Sequence, residues 1–246
     1  MTKAELERLA RRQIADYDRS TPGTIFAEDG FSIDLNDAYR LQIAMASLRV
    51  ERGERVAGFK IGCVGEATQR QLGIESPVFG HLFEGEIRPS GAALQEAEFD
   101  QLAIEGEFAV RIGSDGKPSQ VFPVSELHNH VSRGPKLSAP ELVGNNAIHA
   151  GIVVGDEFRE PHGEVEIAVS INGKEQGRGY ADPLASLAEL VERLEAFELR
   201  LKPGDIALTG TPLPLYPVSA GDEITVSCPS IGELDAVVTS SPYETA

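Results

Sequence analysis

The sequence is poor in three things, and each shortage excludes something. It has only two cysteines, Cys63 and Cys228, in 246 residues. They are too few and too far apart for a disulfide framework or a paired-cysteine zinc site, and a reducing, cytoplasmic setting is the expectation. Long apolar runs are missing: the longest spans a few residues, which excludes a membrane-spanning helix. The first twelve residues are charged and helical in pattern, so no secretory signal is expected. Positive charge is also scarce, with 22 Lys and Arg against 39 Asp and Glu and a formal charge of −17. Such a polyanion repels phosphate backbones and anionic lipid, so neither nucleic acid nor a membrane surface is an expected partner.

What is present is a hydrophobic content of 41%, enough for one sizeable core. The expectation is a single catalytic domain over 1–246, with an N-terminal helical segment, 1–54, packed on it. Thr2 followed by Glu5 makes a capping box, and Leu6, Leu9, Ile14 and Tyr17 recur near helical spacing. Asp34 caps a second helix that Gly53 stops. From Arg55 the period changes to strand-like stretches at 56–62, 78–83, 104–112, 153–157, 164–171, 205–209 and 223–227, with a short helix at 66–72. Asn172 and Gly173 read as a hairpin turn. A late helix opens at Asp182 with Pro183 in its first position and is expected to stop at Pro203 and Gly204. Helices first, then many strands with one late helix, predict an α+β fold.

Two charged groups sit where charge is costly. In the stretch Ile104, Glu105, Gly106, Glu107, Phe108, period-2 alternation puts both carboxylates on one face, roughly 7 Å apart. Either this is an edge strand with an acidic face in water, or something cationic lies between them. Glu126 adds a third carboxylate at the end of the apolar segment from Val121, followed by His128 and His130, each of which is a ligand, a core or a surface residue. Three carboxylates completed by water suit Mg²⁺ or Mn²⁺ better than zinc, for which paired histidines at helical spacing are missing. Lys60 lies between Phe59 and Ile61 in a strand flanked by Gly58 and Gly62. Either it snorkels to water, or, beside a metal and a carbonyl substrate, its ammonium exchanges a proton, since desolvation and a neighbouring cation lower a lysine pKa.

Gly58-Phe59-Lys60-Ile61-Gly62, then Gln69, Gln71, Leu72 and Gly73, then Pro77-Val78-Phe79-Gly80, resemble the signature of the 2-keto-4-pentenoate hydratases. These belong to the fumarylacetoacetate hydrolase superfamily, together with the 4-oxalocrotonate decarboxylases. The resemblance continues through Glu105 and Glu107, Pro123 to Glu126, Asn146 to Gly155, Asp182-Pro183-Leu184 and Leu208-Thr209-Gly210, nearly the whole chain. It implies a mixed, curved β-roll with outer helices and a preceding helical segment. By the same resemblance Glu105, Glu107 and Glu126 hold a divalent metal, Mg²⁺ or Mn²⁺, and Lys60 is the active-site lysine. Phe79, Gly80, Asn146, Thr209 and Thr211 correspond to substrate-binding positions.

The implied activity is a metal-dependent lyase that adds water to a 2-oxo or 2-hydroxydienoic acid in aromatic-compound catabolism. A homo-oligomer is implied too. The alternatives are an acylpyruvate-type C–C hydrolase or a 2-oxo-acid decarboxylase of the same superfamily, and, outside catalysis, an oxo-acid-binding protein. No histidine precedes His81, so the N-terminal Glu and His pair of acylpyruvate-type hydrolases has no counterpart, which favours the lyase branch. Four departures from the hydratase pattern stand beside this: Val78 in place of an acid, Asn145-Asn146-Ala147-Ile148 in place of Asp-Asn-Ala-Ser, a shortened segment between Glu126 and Asn145, and Thr209-Gly210-Thr211-Pro212, which is closer to the hydrolase form.

Overall fold

The computed structural model describes residues 1–134, 136–156, 158–160 and 163–240. Helices α1 (Lys3–Tyr17) and α2 (Leu35–Glu51) come first. The Thr2 and Glu5 capping box forms, and Asp34 accepts from the Asp37 amide at the start of α2. Leu6, Leu9 and Ala10 of α1 meet Leu41 and Met45 of α2 in a small core of their own. Then follow β1 (Val56–Gly62), α3 (Glu66–Leu72), β2 (Val78–Phe83), β3 (Ile87–Pro89) and β4 (Ala92–Gln95). The long strands β5 (Leu102–Ile112) and β6 (Pro118–Asn129) are joined by a tight turn, and α4 (Ala139–Gly144) leads to β7 (His149–Val154). The remainder is β8 (Val165–Ile171), β9 (Lys174–Ala181), α5 (Pro183–Glu195), β10 (Ile206–Leu208), β11 (Tyr216–Pro217), β12 (Glu223–Cys228) and β13 (Gly232–Thr239).

The strands form a mixed sheet in the order β2-β1-β10-β5-β6-β7-β3, with β11 beside β5, and a second sheet in the order β4-β13-β12-β8-β9. In a flat sheet β2 and β7, five strand spacings apart, would lie about 24 Å from each other. Here they touch, so the first sheet curls on itself. Leu82, Ala109, Phe122, Val124, Ile152, Ile206 and Leu208, drawn from five of its strands, meet as an apolar floor inside the curl. The second sheet presses on the outer face. A β-carbon on Gly106 would stand 2.4 Å from Val169 Cγ2, so the residue between the two glutamates is held to glycine by the close approach of the sheets. The result is the mixed α+β curved roll with outer helices that the sequence predicts.

Several boundaries differ from expectation. The strand expected over 153–157 is β7, which starts at His149 and ends at Val154; Glu157 lies outside the described residues. It begins early because it is tied to β6 by pairs from Val124 with Val154 to His128 with His149, a partnership invisible to local pattern. Helix α5 ends at Glu195, short of Pro203. Glu198 turns left-handed (φ 59°) and the Leu199 amide reaches back to the Leu194 carbonyl at 3.0 Å, closing the helix without proline. The hairpin at Asn172 and Gly173 joins β8 to β9. Both cysteines are unpaired, and no described helix is long and apolar enough to cross a membrane.

Candidate metal centre

Register lays the charged residues in rows on the inner face of the curled sheet. Lys60, Leu208, Ala109 and Phe122 stand side by side in one row, Glu107 and Val124 in the next, Glu105, Glu126 and Ile152 in the third. Strand β5 is central, flanked by β10, β11 and β6, so its acidic face is not an edge in water. Glu107 and Glu126 are 1% exposed and Lys60 3%, while Glu105 is partly exposed and marks the open side. Lys60 therefore does not snorkel to solvent.

Lys60 Nζ is 3.0 Å from Glu126 Oε1. The same oxygen lies 2.6 Å from His149 Nδ1, whose N–H donates to it. Two donors thus hold Oε1 and leave Oε2 facing inward, 3.5 Å from His128 Nε2, which is 3.2 Å from Glu105 Oε2. The ligand atoms of Glu105, Glu126 and His128 all fall within 4.8 Å of one another. Glu107 sits beside this group with neither oxygen in a well-formed protein hydrogen bond.

The electrostatics follow from burial and crowding. Burial raises the Glu107 carboxyl well above its ordinary range, with Glu126 and Glu105 pushing the same way; Lys60 and the Gly210 amide offset this only in part. Burial would raise Glu126 too, but Lys60, His128 and His149 outweigh it and hold it ionised well below the carboxylate range. For Lys60, burial opposes the charge, and Glu126, Glu105 and Glu107 overcome it, so its pKa is raised. Without a cation beside it, three acids facing one ammonium outweigh burial, whereas the lowered lysine pKa expected from the sequence belongs to a site that holds a metal.

Residues 140–239 match the family model described as fumarylacetoacetate (FAA) hydrolase C-terminal. Over 222 residues the chain is 29% identical to a 2-hydroxyhexa-2,4-dienoate hydratase from Comamonas testosteroni, covering 80% of this chain and 84% of that one. Residues 140–239 thus resemble the fumarylacetoacetate hydrolase C-terminal domain, and the chain as a whole is similar to hydratases that act on dienoates. Its fold agrees: a 4-oxalocrotonate decarboxylase from Pseudomonas putida G7, complexed with magnesium and adipate, superposes with a TM-score of 0.88 at 21% identity over 97% of this chain and 98% of that one. A fumarylpyruvate hydrolase from Pseudomonas aeruginosa, in complex with Mn²⁺ and pyruvate, gives 0.61 at 19% identity over 74% of this chain and 89% of that one.

The donor set of this chain fits a hard divalent cation. The ligand atoms of Glu105, Glu126 and His128 gather within 4.8 Å with Glu107 beside them, and a buried acid without a well-formed hydrogen bond is a group that a metal ion would satisfy and keep ionised. Glu105, Glu107 and Glu126 are the oxygens available to hold it.

The five positions matched to substrate contacts separate. Gly80 lies opposite Lys60 in the β1–β2 register, and a β-carbon there would be 2.8 Å from the Asn146 carbonyl oxygen and 3.3 Å from Lys60 Cγ. Phe79 points to the other face, stacked on Tyr39 at 4.9 Å and against Phe197, because alternation along β2 sends its ring into the outer core; it is corrected to a packing residue. The Asn146 side chain bridges the His81 backbone, accepting from its N–H at 2.7 Å and donating to its C=O at 2.8 Å. It thereby holds a left-handed turn, Asn146, Ala147 and Ile148 at φ 55°, 51° and 55°, a conformation costly for Ile148 in particular. Thr209 Oγ1 donates to the Phe108 carbonyl at 2.9 Å, and Thr211 Oγ1 to that of Gly106 at 2.6 Å. Both hydroxyls pin the segment after β10 to the acid-bearing strand.

His149 escaped sequence reasoning. It follows a run with no helical or strand period, and only the pairing of β7 with β6 sets it opposite His128. His128 joins the acids; His130, two residues on, is exposed.

Proposed function

We propose that this protein is a divalent-metal-dependent hydratase that adds water to a small 2-oxo or 2-hydroxydienoic acid. The observation that carries it is the inward cluster of Glu105, Glu107 and Glu126 around buried Lys60. The likeness to the C. testosteroni hydratase supports the same reaction class. Glu105, Glu107 and Glu126 would hold the metal, which would polarise the 2-oxygen and relieve negative charge on the conjugated system.

The chain's own residues supply the rest. Hydration of a 2-hydroxydienoate needs a proton delivered to the far carbon of the diene while the 2-hydroxyl proton leaves; water then adds to the conjugated ketone. Lys60 Nζ is the buried proton donor: the acids around it keep it charged, and a cation held beside it would lower its pKa toward the range in which it gives a proton to a substrate carbon. Glu126 fixes Nζ in place at 3.0 Å. The floor of Leu208, Phe122 and Ile152 keeps water away from the underside of the cluster, so charges there act in a low dielectric.

The test is a Mg²⁺- or Mn²⁺-dependent ultraviolet assay over 2-hydroxydienoates, 4-oxalocrotonate-type diacids and acylpyruvates, with products identified by mass. Gain of one water by a dienoate is expected. The whole-chain likeness to a decarboxylase fold makes loss of carbon dioxide the outcome that would replace hydration, and cleavage of an acylpyruvate would assign a hydrolase instead. Lys60→Ala is expected to keep Mn²⁺ binding and lose about 10²- to 10⁴-fold in turnover; full activity in that variant would remove Lys60 from the mechanism.

A further inference from the structure

We propose that His128 is a nitrogen ligand of the metal, so that the centre is a mixed oxygen–nitrogen site that selects a first-row transition ion such as Mn²⁺ over Mg²⁺. This rests on the metal centre proposed above and adds a ligand to its three carboxylates.

The geometry is specific. His128 is 2% exposed, and neither ring nitrogen has a well-aligned hydrogen bond to any described residue. Yet Nε2 is aimed between two carboxylates, 3.2 Å from Glu105 Oε2 and 3.5 Å from Glu126 Oε2. Were this ordinary buried packing, one N–H would settle on one acceptor. Two acceptors converging on one nitrogen without bonding it is the arrangement that a cation between all three atoms resolves. The distances agree with that: adjacent ligands on an octahedral ion with bonds of about 2.1 Å stand about 3.0 Å apart.

Position makes the same point. His128 is two residues from Glu126 on β6, so alternation brings both side chains to the inner face, and β5 pairs Ala103 opposite His128 and Glu105 opposite Glu126. Ala103 is small enough to leave the imidazole free to lean toward Glu105. On the other side, Lys60 and His149 both occupy Glu126 Oε1, which turns Oε2 toward His128.

A fourth protein donor changes the chemistry. Mg²⁺ favours an all-oxygen shell, whereas imidazole nitrogen strengthens binding of Mn²⁺ and the later divalent ions. With Glu105, Glu107, Glu126 and His128 each giving one atom, two positions of six remain, the number that a chelating 2-oxo acid fills.

The test is pulsed electron paramagnetic resonance on the full chain loaded with Mn²⁺, with and without ¹⁵N-labelled histidine, alongside calorimetric titration of the metal-free protein with Mn²⁺ and with Mg²⁺. Directly coordinated histidine nitrogen is expected in the parent spectrum and its signal is expected to vanish in His128→Leu. That variant is also expected to bind Mn²⁺ about 10- to 100-fold more weakly and Mg²⁺ with a smaller loss, so that the preference for Mn²⁺ shrinks. Stoichiometric Mn²⁺ binding by the parent with no histidine coupling overturns the assignment, whether or not the variant folds. Equal losses for the two ions in folded His128→Leu overturn the selectivity. If the parent binds neither ion, the metal centre proposed above fails, a result distinct from either of these.

Discussion

A pair of buried ionic clusters among the described residues lies on either side of His149, and the two differ in whether their charges are matched. In the first, on the N-terminal helices and β2, every acceptor is answered. Glu86 accepts from Tyr17 Oη at 2.6 Å, from Arg49 at 2.7 Å and from the Phe83 amide at 3.1 Å. Arg49 also reaches Glu54 at 2.8 Å and lies over the Phe83 ring at 3.6 Å. In the second, Lys60 faces three carboxylates, and among the described residues Glu107 has no well-formed hydrogen bond and His128 Nε2 stands between two carboxylates without a well-aligned bond to either. The second is the more deeply buried, yet only the first is satisfied. A matched buried network is what a fold needs to join its parts, whereas surplus buried acid is tolerable only where a further cation belongs.

The largest break in that comparison is Glu107→Gln. Turnover is expected to fall by 10³-fold or more, about 4 kcal/mol, together with metal binding, while the metal-free protein melts no lower than its parent, because an unpaired buried acid has been neutralised. A lowered melting temperature without loss of metal binding would move Glu107 into the structural class.

Arg49→Met is the opposite experiment. It leaves Glu86 without its cation and Glu54 with Arg52 alone, and breaking a buried pair in this way costs about 3 to 5 kcal/mol. Denaturant unfolding should report that loss, while Mn²⁺ affinity of the folded fraction stays within about threefold. If metal affinity collapses instead, the two clusters are one system coupled through His149, whose Nε2 is 3.9 Å from Glu86 Oε2.

His81 sharpens the comparison from the matched side. It packs among Phe59, Phe79 and Phe83, and burial, with Arg49 adding a smaller push, lowers its pKa to about 4. A histidine whose folded pKa is depressed below the unfolded value of about 6.5 binds fewer protons when folded. Its contribution is therefore fully present above pH 6.5 and is lost as the pH falls toward 4, by about 3 kcal/mol in all. His81→Phe is expected to flatten unfolding free energy over that range; an unchanged pH profile would show that His81 is not the group responsible.

The contrast between the clusters also explains what the sequence disclosed. Glu105 and Glu107 were legible because alternation puts both on one face and a strand tolerates that poorly. Lys60 stood out because it interrupts an apolar strand. The helix caps at Thr2, Asp34 and Asp182 are local chemistry and could be read as such. His149, by contrast, acquires its role from register between β6 and β7, and β3 and β4 exist through parallel pairings with distant partners. The matched cluster was illegible for the same reason: Tyr17, Arg49 and Glu86 are 32 and 37 residues apart in turn, and each alone is an ordinary surface-type side chain.

Thr211 tests the smallest difference, between a residue that touches substrate and one that shapes the site from behind. Its hydroxyl donates to the Gly106 carbonyl and accepts from the Leu213 amide at 3.0 Å, so it ties its own segment to the backbone between Glu105 and Glu107. Thr211→Val keeps the shape and removes those bonds, at an expected cost of about 1 kcal/mol. Because the strand carrying the acids loosens, kcat should fall a few-fold with KM nearly constant. Serine, which restores the hydroxyl, should recover most of both stability and kcat. A large rise in KM with stability unchanged would instead return Thr211 to the substrate-contact role that the family resemblance implies, and would place the segment after β10 on the substrate's side of the centre.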